Sequence, residues 1–210
     1  VKAVVLRVSS PGGSAYGSEQ IWRALTKLKE KKPLIVSMGD YAASGGYYIS
    51  CMADKIVAQP NTITGSIGIF GLIPNIQGLN NKIGLTYDGV KTNKQSDAIS
   101  VNRPFRPEER MLMQNYVNRG YELFVKRCAD GRKKTTDEIK AIAEGRVWTG
   151  QDALKIGLVD KIGGIDEAVK LAVDKAKLTA YQLKEFPEKE DFATKLMKSF
   201  GEDMETRFIK

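Results

Sequence analysis

Histidine is absent from the 210-residue sequence, and this absence excludes two large classes of enzyme mechanism. A chain without histidine cannot build a Ser-His-Asp or Cys-His catalytic arrangement, or a His-containing metal site, from its own residues. The two cysteines, Cys51 and Cys128, are too few for a disulfide scaffold or an all-cysteine zinc site. We expect both to be buried and unpaired, although pairing in an oxidising compartment stays open. No metal and no organic cofactor is predicted.

Long apolar runs and concentrated basic segments are also scarce. No stretch approaches the ~20 apolar residues needed to cross a bilayer, and no signal peptide is present. The net charge of +8 is spread along the chain, whereas a nucleic-acid-binding protein more often concentrates it on one arm or face. We therefore predict no nucleic-acid partner. The sequence starts at Val1 inside an apolar run, so we interpret it as a piece of a longer protein.

The first half of the chain alternates between the patterns of buried strands and of helices. Apolar runs rich in β-branched residues predict strands over Val1–Val8, Leu34–Met38, Lys55–Ala58 and Leu85–Val90. Helical spacing predicts three helices between these strands. The first contains Ile21, Leu25 and Leu28, and the other two are Tyr47–Met52 and Ile76–Ile83. This order predicts an α/β fold with a mainly parallel sheet of repeated β-α units and external helices.

The second half is predicted to be helical. Helices are expected over Arg106–Arg132, Thr136–Glu144, Gln151–Ile156 and Asp166–Lys177. We therefore divide the chain into an α/β core over 1–105 and a helical continuation over 106–178 that packs on the core and offers oligomer contacts. The tail over 179–210 is charged, and we expect it to form a strand or helix arm.

Two glycine-rich turns each follow a predicted strand and precede a predicted helix. Parallel strands end at the same edge of a sheet, so both turns should meet there. The first turn, Pro11-Gly12-Gly13, can expose backbone N–H groups. The second holds Ser44 at a sharp turn between Ala43 and Gly45. A side-chain oxygen held beside free N–H donors suits acyl transfer, because such donors stabilise a developing oxyanion.

The same residues also fit two ordinary turns, with Ser44 as the N-cap of a helix. Neither turn is a phosphate-binding loop, because no GxxxxGK[ST] is present and Pro-Gly-Gly lacks the GxGxxG spacing. Spacing alone therefore leaves a catalytic turn and a structural turn both open.

Three ordered blocks of sequence resemble one family of enzymes. They are VLRVSSPGGSAYGSEQIW, PLIVSMGDYAASGGYYISCMADKIVAQPNTITGSIGIFG and GRVWTGQDALKIGLVDKIGG. Together they resemble the SppA family of signal peptide peptidases, also called protease IV, and the resemblance reaches about Leu178. It implies a fold similar to that of Clp protease and the crotonases, with a helical C-terminal part.

The resemblance also implies roles for individual residues. AASGGYYI matches the nucleophile block, so Ser44 would attack the scissile carbonyl. Gly13 and Gly45 would donate N–H groups to the oxyanion, and Ser66 of TGSIG would orient the general base. The substrate would extend by strand addition along Pro11-Gly12-Gly13 and along the stretch 62–69. The residues expected to bind it are Pro11, Gly12, Thr64 and Gly65.

The family's general base is a lysine, which agrees with the missing histidine. It must be buried, so that its pKa falls from ~10.4 toward ~7–8 and a neutral amine exists. In short members it follows the strand that matches Leu85–Val90, where this sequence has Ser96. Lys94 is the minor candidate, because its neighbours Gln95, Ser96 and Asp97 are polar. Long members take the lysine from their N-terminal half, so we expect the base to lie outside this sequence.

By resemblance the chain is the C-terminal half of a long bacterial serine endopeptidase that cleaves remnant signal peptides and other short apolar peptides through a Ser/Lys dyad. The implied partners are peptide substrates, the N-terminal half of the same protein, further copies in a homo-oligomer, and the membrane through an anchor outside this sequence. The implied location is the periplasmic, outer face of the inner membrane.

Two other classes of function stay open. A crotonase-type acyl-CoA enzyme would share the fold and the backbone oxyanion donors, but it needs acid/base carboxylates, and Asp40 is the one candidate near the turns. An inactive scaffold or peptide-binding half would explain the missing lysine. Retention of Ser44, Gly13 and Ser66 argues against a scaffold.

Overall fold

A computed structural model describes residues 1–187 of the chain and contains one mixed sheet with helices around it. The strands are β1 (Val4–Ser10), β2 (Leu34–Ala43), β3 (Lys55–Ala58), β4 (Ile63–Gly65), β5 (Val147–Thr149) and β6 (Lys161–Ile162). The helices are α1 (Ala15–Lys29), α2 (Gly45–Ser50), α3 (Gln77–Lys82), α4 (Pro107–Arg132), α5 (Thr136–Ile142), α6 (Gly150–Lys155) and α7 (Ile165–Lys175). Residues Val1–Lys177 form one compact unit, and a second unit begins at Leu178.

Strand β2 is the centre of the sheet. It pairs in parallel with β1, with β3 through Ile35–Ser37, and with β4 through Tyr41–Ala43. Strand β3 pairs in parallel with β6, and β4 pairs antiparallel with β5. The predicted α/β fold with a mainly parallel sheet is therefore confirmed. Strand β2 pairs with three other strands, and β1 and β4 lie beside its carboxyl end.

The apolar run in β2 is buried on both sides of the sheet, as a strand covered on both faces requires. Ile35 packs with Val57 against Ala168 and Ala172 of α7. The opposite side of β2 faces the larger cluster, whose members include Leu34, Val36, Met38, Tyr47, Ile56, Phe124, Cys128 and Leu158. Because both faces of β2 are covered, a substrate could reach this strand only at its carboxyl end.

The two cysteines lie in this core. Cys51 and Cys128 are both free and fully buried, which confirms the expectation of unpaired side chains. Burial and the neighbouring Cys51 raise the pKa of the Cys128 thiol well above its usual value. A buried protonated thiol is a poor nucleophile, so we assign both cysteines to packing.

The predicted strand over Leu85–Val90 is wrong. This segment has no regular structure and its apolar side chains are exposed, with Val90 wholly so. The place beside β4 is taken by β5, a three-residue strand that the sequence analysis did not predict. A β-propensity pattern describes a strand only where a neighbour pairs with it.

Most of the other predicted elements are present with shifted ends. Strand β2 runs on to Ala43, and the two-residue strand β6 was not predicted. The division of the chain at residues 105 and 178 stays a prediction, and residues 188–210 of the predicted arm lie outside the described part. Within residues 1–187, no helix combines the length and the apolar character needed to span a membrane.

Candidate active site

Ser44 occupies a strained turn between β2 and α2. Its backbone angles are φ 52° and ψ −117°, in a region that costs a non-glycine residue about 1–3 kcal/mol. Two hydrogen bonds hold the turn: Ser44 N donates to Gly65 O at 2.9 Å, and Tyr48 N donates to Ser44 O at 2.9 Å. Ser44 lies at the N-cap position, but its side chain makes no capping hydrogen bond. The hypothesis that Ser44 is an ordinary N-cap residue is therefore not supported.

The Pro11-Gly12-Gly13 turn lies directly against Ser44. Gly12 has φ 115°, and a Cβ atom on it would lie 2.8 Å from Ser44 Cβ and 3.1 Å from Ser44 Oγ. Side-chain carbon atoms do not approach one another so closely, and L residues rarely adopt this φ. Gly12 is therefore glycine because the loop passes over the serine without room for a side chain.

The two candidate oxyanion donors are brought together by this contact. A Cβ atom on Gly45 would lie 3.3 Å from Gly13 N, which places the start of α2 beside the end of the glycine loop. Among the hydrogen bonds of residues 1–187, none is donated by Gly13 N or Gly45 N. Two neighbouring N–H groups without an internal acceptor are what an oxyanion needs.

Ser66 lies at the same edge. Ala43 pairs with Gly65 across β2 and β4, so Ser44 and Ser66 each follow a member of one cross-strand pair. Ser66 has φ 49°, and its N–H donates to Arg146 O at 2.8 Å. In the described part of the chain, neither Ser44 Oγ nor Ser66 Oγ has a hydrogen-bond partner. Both hydroxyls can therefore bond to a further group at this edge of the sheet.

Lys94, the minor candidate for the base, lies in a different environment. Its side chain is 79% exposed, and its Nζ lies 3.7 Å from Glu108 Oε1. A lysine that acts as the general base is expected to be buried, whereas Lys94 lies in water beside a carboxylate. The structure brings Ser44, Gly13, Gly45 and Ser66 together but shows no contact between Lys94 and any of them.

The expected substrate-binding residues divide into two groups. Pro11 and Gly12 directly follow the carboxyl end of β1, a strand that within residues 1–187 pairs with β2 alone. Thr64 is fully buried and donates its hydroxyl to Ala42 O at 2.7 Å, and both edges of β4 are paired. A peptide therefore cannot add as a strand beside Thr64 and Gly65, because both of their backbone edges are already paired.

Sequence reasoning missed a polar cluster next to the serine turn. The hydroxyl of Tyr48 and the guanidinium of Arg127 both donate to the carboxylate of Glu19. These residues come from α2, α4 and α1. Arg127 and Glu19 are 108 positions apart, so no local pattern could reveal the cluster.

Within residues 1–187, a mainly parallel sheet presents a strained serine beside two N–H groups that lack an internal acceptor, and this combination defines an α/β enzyme of the serine-hydrolase class. The sequence comparisons agree with this class. Residues 26–179 match the description Peptidase family S49.

The curated relatives are proteases. The chain is 48% identical to Protease 4 of Salmonella typhi over 184 residues, which is 87% of this chain and 30% of that protein. It is 40% identical over 178 residues to the chloroplastic serine protease SPPA of Arabidopsis thaliana, covering 84% of this chain and 26% of that protein. It is 39% identical over 180 residues to the putative signal peptide peptidase SppA of Enterococcus faecium, covering 85% of this chain and 52% of that protein.

The chain belongs to peptidase family S49, and its domain is that of a serine peptidase. The resemblance to the SppA family is thereby confirmed. The chain spans about a quarter to a half of the length of these three relatives.

Proposed function

We propose that Ser44 is the nucleophile of a serine endopeptidase that cleaves remnant signal peptides and other short apolar peptides. The observation that carries the proposal is the strained turn of Ser44 beside the free N–H groups of Gly13 and Gly45. Strain that is held by surrounding structure is typical of functional positions. A purely structural turn would gain stability by relaxing it.

The chemistry follows from this geometry. Ser44 Oγ forms a bond to the scissile carbonyl carbon while a neutral amine takes its proton. The carbonyl oxygen becomes an oxyanion that accepts hydrogen bonds from Gly13 N and Gly45 N, each worth roughly 3 kcal/mol of barrier in serine hydrolases. The C–N bond then breaks as the ammonium returns the proton to the leaving amine, and water hydrolyses the acyl-enzyme by the same route.

We further propose that the amine belongs to a lysine outside the described residues, supplied by an N-terminal half of the same protein. Two observations support this: Lys94 is exposed beside Glu108, and the hydroxyls of Ser44 and Ser66 have no hydrogen-bond partner within residues 1–187. Ser66 would accept or donate the hydrogen bond that orients the lysine. The chain covers only 30% of the Salmonella relative, which leaves ample sequence for such a half.

The experiment that tests the mechanism compares hydrolysis of a fluorogenic apolar peptide by two proteins. One is this chain alone, and the other is a protein that joins it to a lysine-bearing half; each is measured beside Ser44→Ala. We expect activity only in the longer protein and its loss in the alanine variant. Activity of the short chain would place the base within it and make Lys94 the next residue to replace. Lack of activity and of labelling by a serine-directed acylating probe in both proteins would indicate an inactive scaffold.

The substrate is proposed to lie in extended form beside the glycine loop. Strand β1, whose outer edge is unpaired within residues 1–187, ends at Ser10 directly before Pro11, and β4 ends with Gly65 at the same carboxyl end of the sheet. A peptide that adds as a strand gains main-chain hydrogen bonds there, and its apolar side chains supply the remaining affinity.

A homo-oligomer is proposed from the segment 70–90. Seven of its apolar side chains are exposed, and Phe70 at 90% and Val90 at 102% are almost fully in water. Contiguous exposed apolar residues mark interaction surfaces. The exposed apolar residues of the segment are Phe70, Leu72, Leu79, Ile83, Leu85, Tyr87 and Val90.

Replacing Phe70 and Val90 together with aspartate should lower the mass of the assembly measured by light scattering. The control is Ile21→Asp, which adds one charge at an exposed apolar position of α1, outside the segment. An unchanged mass in the double variant would remove this segment from the interface. Attachment to the periplasmic face of the inner membrane stays a prediction, for which fractionation of bacterial cells is the test.

A further inference from the structure

The two candidate oxyanion donors lie at the starts of two different helices. Gly13 precedes Ser14, the N-cap of α1, and Gly45 is the first residue of α2. Donors must come within about 2.7–3.1 Å of the oxyanion. The packing of α1 against α2 therefore decides whether both N–H groups can reach one oxygen.

At the site end, the two helices already touch. Ser18 of α1 is almost fully buried and donates its hydroxyl to Ser14 O at 3.0 Å. A Cβ atom on Gly45 would lie 2.6 Å from Ser18 Oγ. This contact stops the helices from moving closer, but nothing in it prevents them from moving apart.

One residue further along α1 and three residues further along α2, a charged hydrogen-bond network ties the two helices together. Tyr48 of α2 donates to Glu19 Oε2 of α1, and Arg127 of α4 donates to Glu19 Oε1 at 2.7 Å. The Arg127 guanidinium also lies 3.8 Å from the centre of the Trp22 ring on α1. The Tyr48 ring packs on Phe124 of α4, with ring centroids 4.7 Å apart.

We propose that Glu19, Tyr48 and Arg127 are positioning residues that hold α1 against α2 and so fix the distance between the N–H groups of Gly13 and Gly45. The inference rests on the proposed role of Ser44 and goes beyond it, because none of the three side chains touches the reacting atoms. Tyr48 is well placed for this role, since its own N–H also donates to Ser44 O. Tyr48 thus links the turn of Ser44 to the hydrogen-bond network of Glu19 and Arg127.

The ionisation states of Glu19 and Tyr48 keep this hydrogen-bond network formed at neutral pH. Partial burial raises the pKa of Glu19, but the hydrogen bonds from Arg127 and Tyr48 outweigh it, and the net pKa lies below the usual value. Burial and the bond to Glu19 both raise the pKa of Tyr48. Glu19 is therefore a carboxylate and Tyr48 a phenol at neutral pH, which is the state in which both hydrogen bonds form.

Adjacent tyrosines provide a matched test. Tyr48→Phe removes the bond to Glu19, whereas Tyr47→Phe removes the buried bond from Tyr47 Oη to Leu158 O at 2.9 Å, in the loop between α6 and β6. Both variants lose one hydroxyl from α2 and should lower the unfolding temperature by similar amounts. In the form that hydrolyses peptide, we expect Tyr48→Phe to lower kcat about tenfold with KM unchanged. Tyr47→Phe should keep the parental kcat.

A second pair of variants tests whether the network acts as a unit. Glu19→Gln should also lower kcat, and Glu19→Gln with Tyr48→Phe should be no slower than the worse single variant, because coupled residues are not additive. The rate of labelling by a serine-directed phosphonylating probe should fall in parallel.

Equal kcat values for Tyr48→Phe and Tyr47→Phe would overturn the proposal and reduce the network to a structural tie. Strictly additive losses would overturn it as well. A nucleophile other than Ser44 would be revealed separately, by hydrolysis that survives Ser44→Ala.

Discussion

Replacing Ser44 with alanine should lower kcat for peptide hydrolysis by at least about 10³-fold, because the acyl-enzyme can no longer form. The residual rate would come from substrate binding and from the N–H groups of Gly13 and Gly45, which the substitution leaves in place. Alanine has no hydroxyl but keeps a Cβ atom, so the turn stays as strained as with serine. We therefore expect the unfolding temperature to change little.

Ser44→Gly separates activity from stability at the same position. Glycine adopts φ 52° without steric cost, so the variant should be inactive yet up to about 1 kcal/mol more stable. The measurements are hydrolysis of the fluorogenic peptide and urea unfolding of Ser44→Ala, Ser44→Gly and the parent. Hydrolysis above a tenth of the parental rate in either variant would contradict the assignment of Ser44. A glycine variant less stable than the alanine variant would contradict the strain.

The parts of the fold that the sequence predicts are those decided locally. Strands β1, β2 and β3 follow from continuous apolar runs, and α1 follows from helical spacing that ends before Pro33. The Ser44 turn could be recognised because glycine and serine stand between a buried strand and a helix. The block resemblance then supplied the expectation of a nucleophile there.

The remainder depends on partners that are distant in the chain. Leu85–Val90 has the composition of a strand but pairs with no strand among residues 1–187, while Val147–Thr149 is a strand because β4 offers it an edge. Thr64 and Gly65 were expected to bind substrate, yet β5 pairs with the edge on which a peptide would have to add. Burial and edge occupancy are properties of the assembled sheet, and a single sequence does not contain them.

The position of Lys94 shows the same limit in chemical terms. Sequence reasoning identified its polar neighbours as a poor environment for a neutral amine, and the structure places the side chain in water near Glu108. What the sequence could not show is that Ser44 and Ser66 each follow a member of one cross-strand pair, and that neither hydroxyl has a hydrogen-bond partner among residues 1–187. The proposal of a lysine outside these residues rests on this pair of hydroxyls.

Gly12→Ala should be the most damaging substitution that removes none of the proposed catalytic groups. The new Cβ atom would lie 2.8 Å from Ser44 Cβ and 3.0 Å from Gly45 N, and φ 115° is unfavourable for alanine. Either the loop or the serine turn must move, and a shift of about 1 Å costs roughly 10²-fold in rate. We therefore expect kcat to fall by about 10²-fold, with a loss of about 1–3 kcal/mol in stability.

Gly84→Ala is the matched control, because it introduces backbone strain at a positive φ without a steric collision. Gly84 has φ 74°, and a Cβ atom on it would meet nothing within 4 Å. The control should lose about 1 kcal/mol of stability and keep the parental kcat. If both variants lose stability but Gly12→Ala alone loses turnover, the damage comes from displaced atoms around Ser44. Parental turnover in Gly12→Ala would mean that the loop does not hold the oxyanion donors, and the catalytic assignment of Gly13 would fall with it.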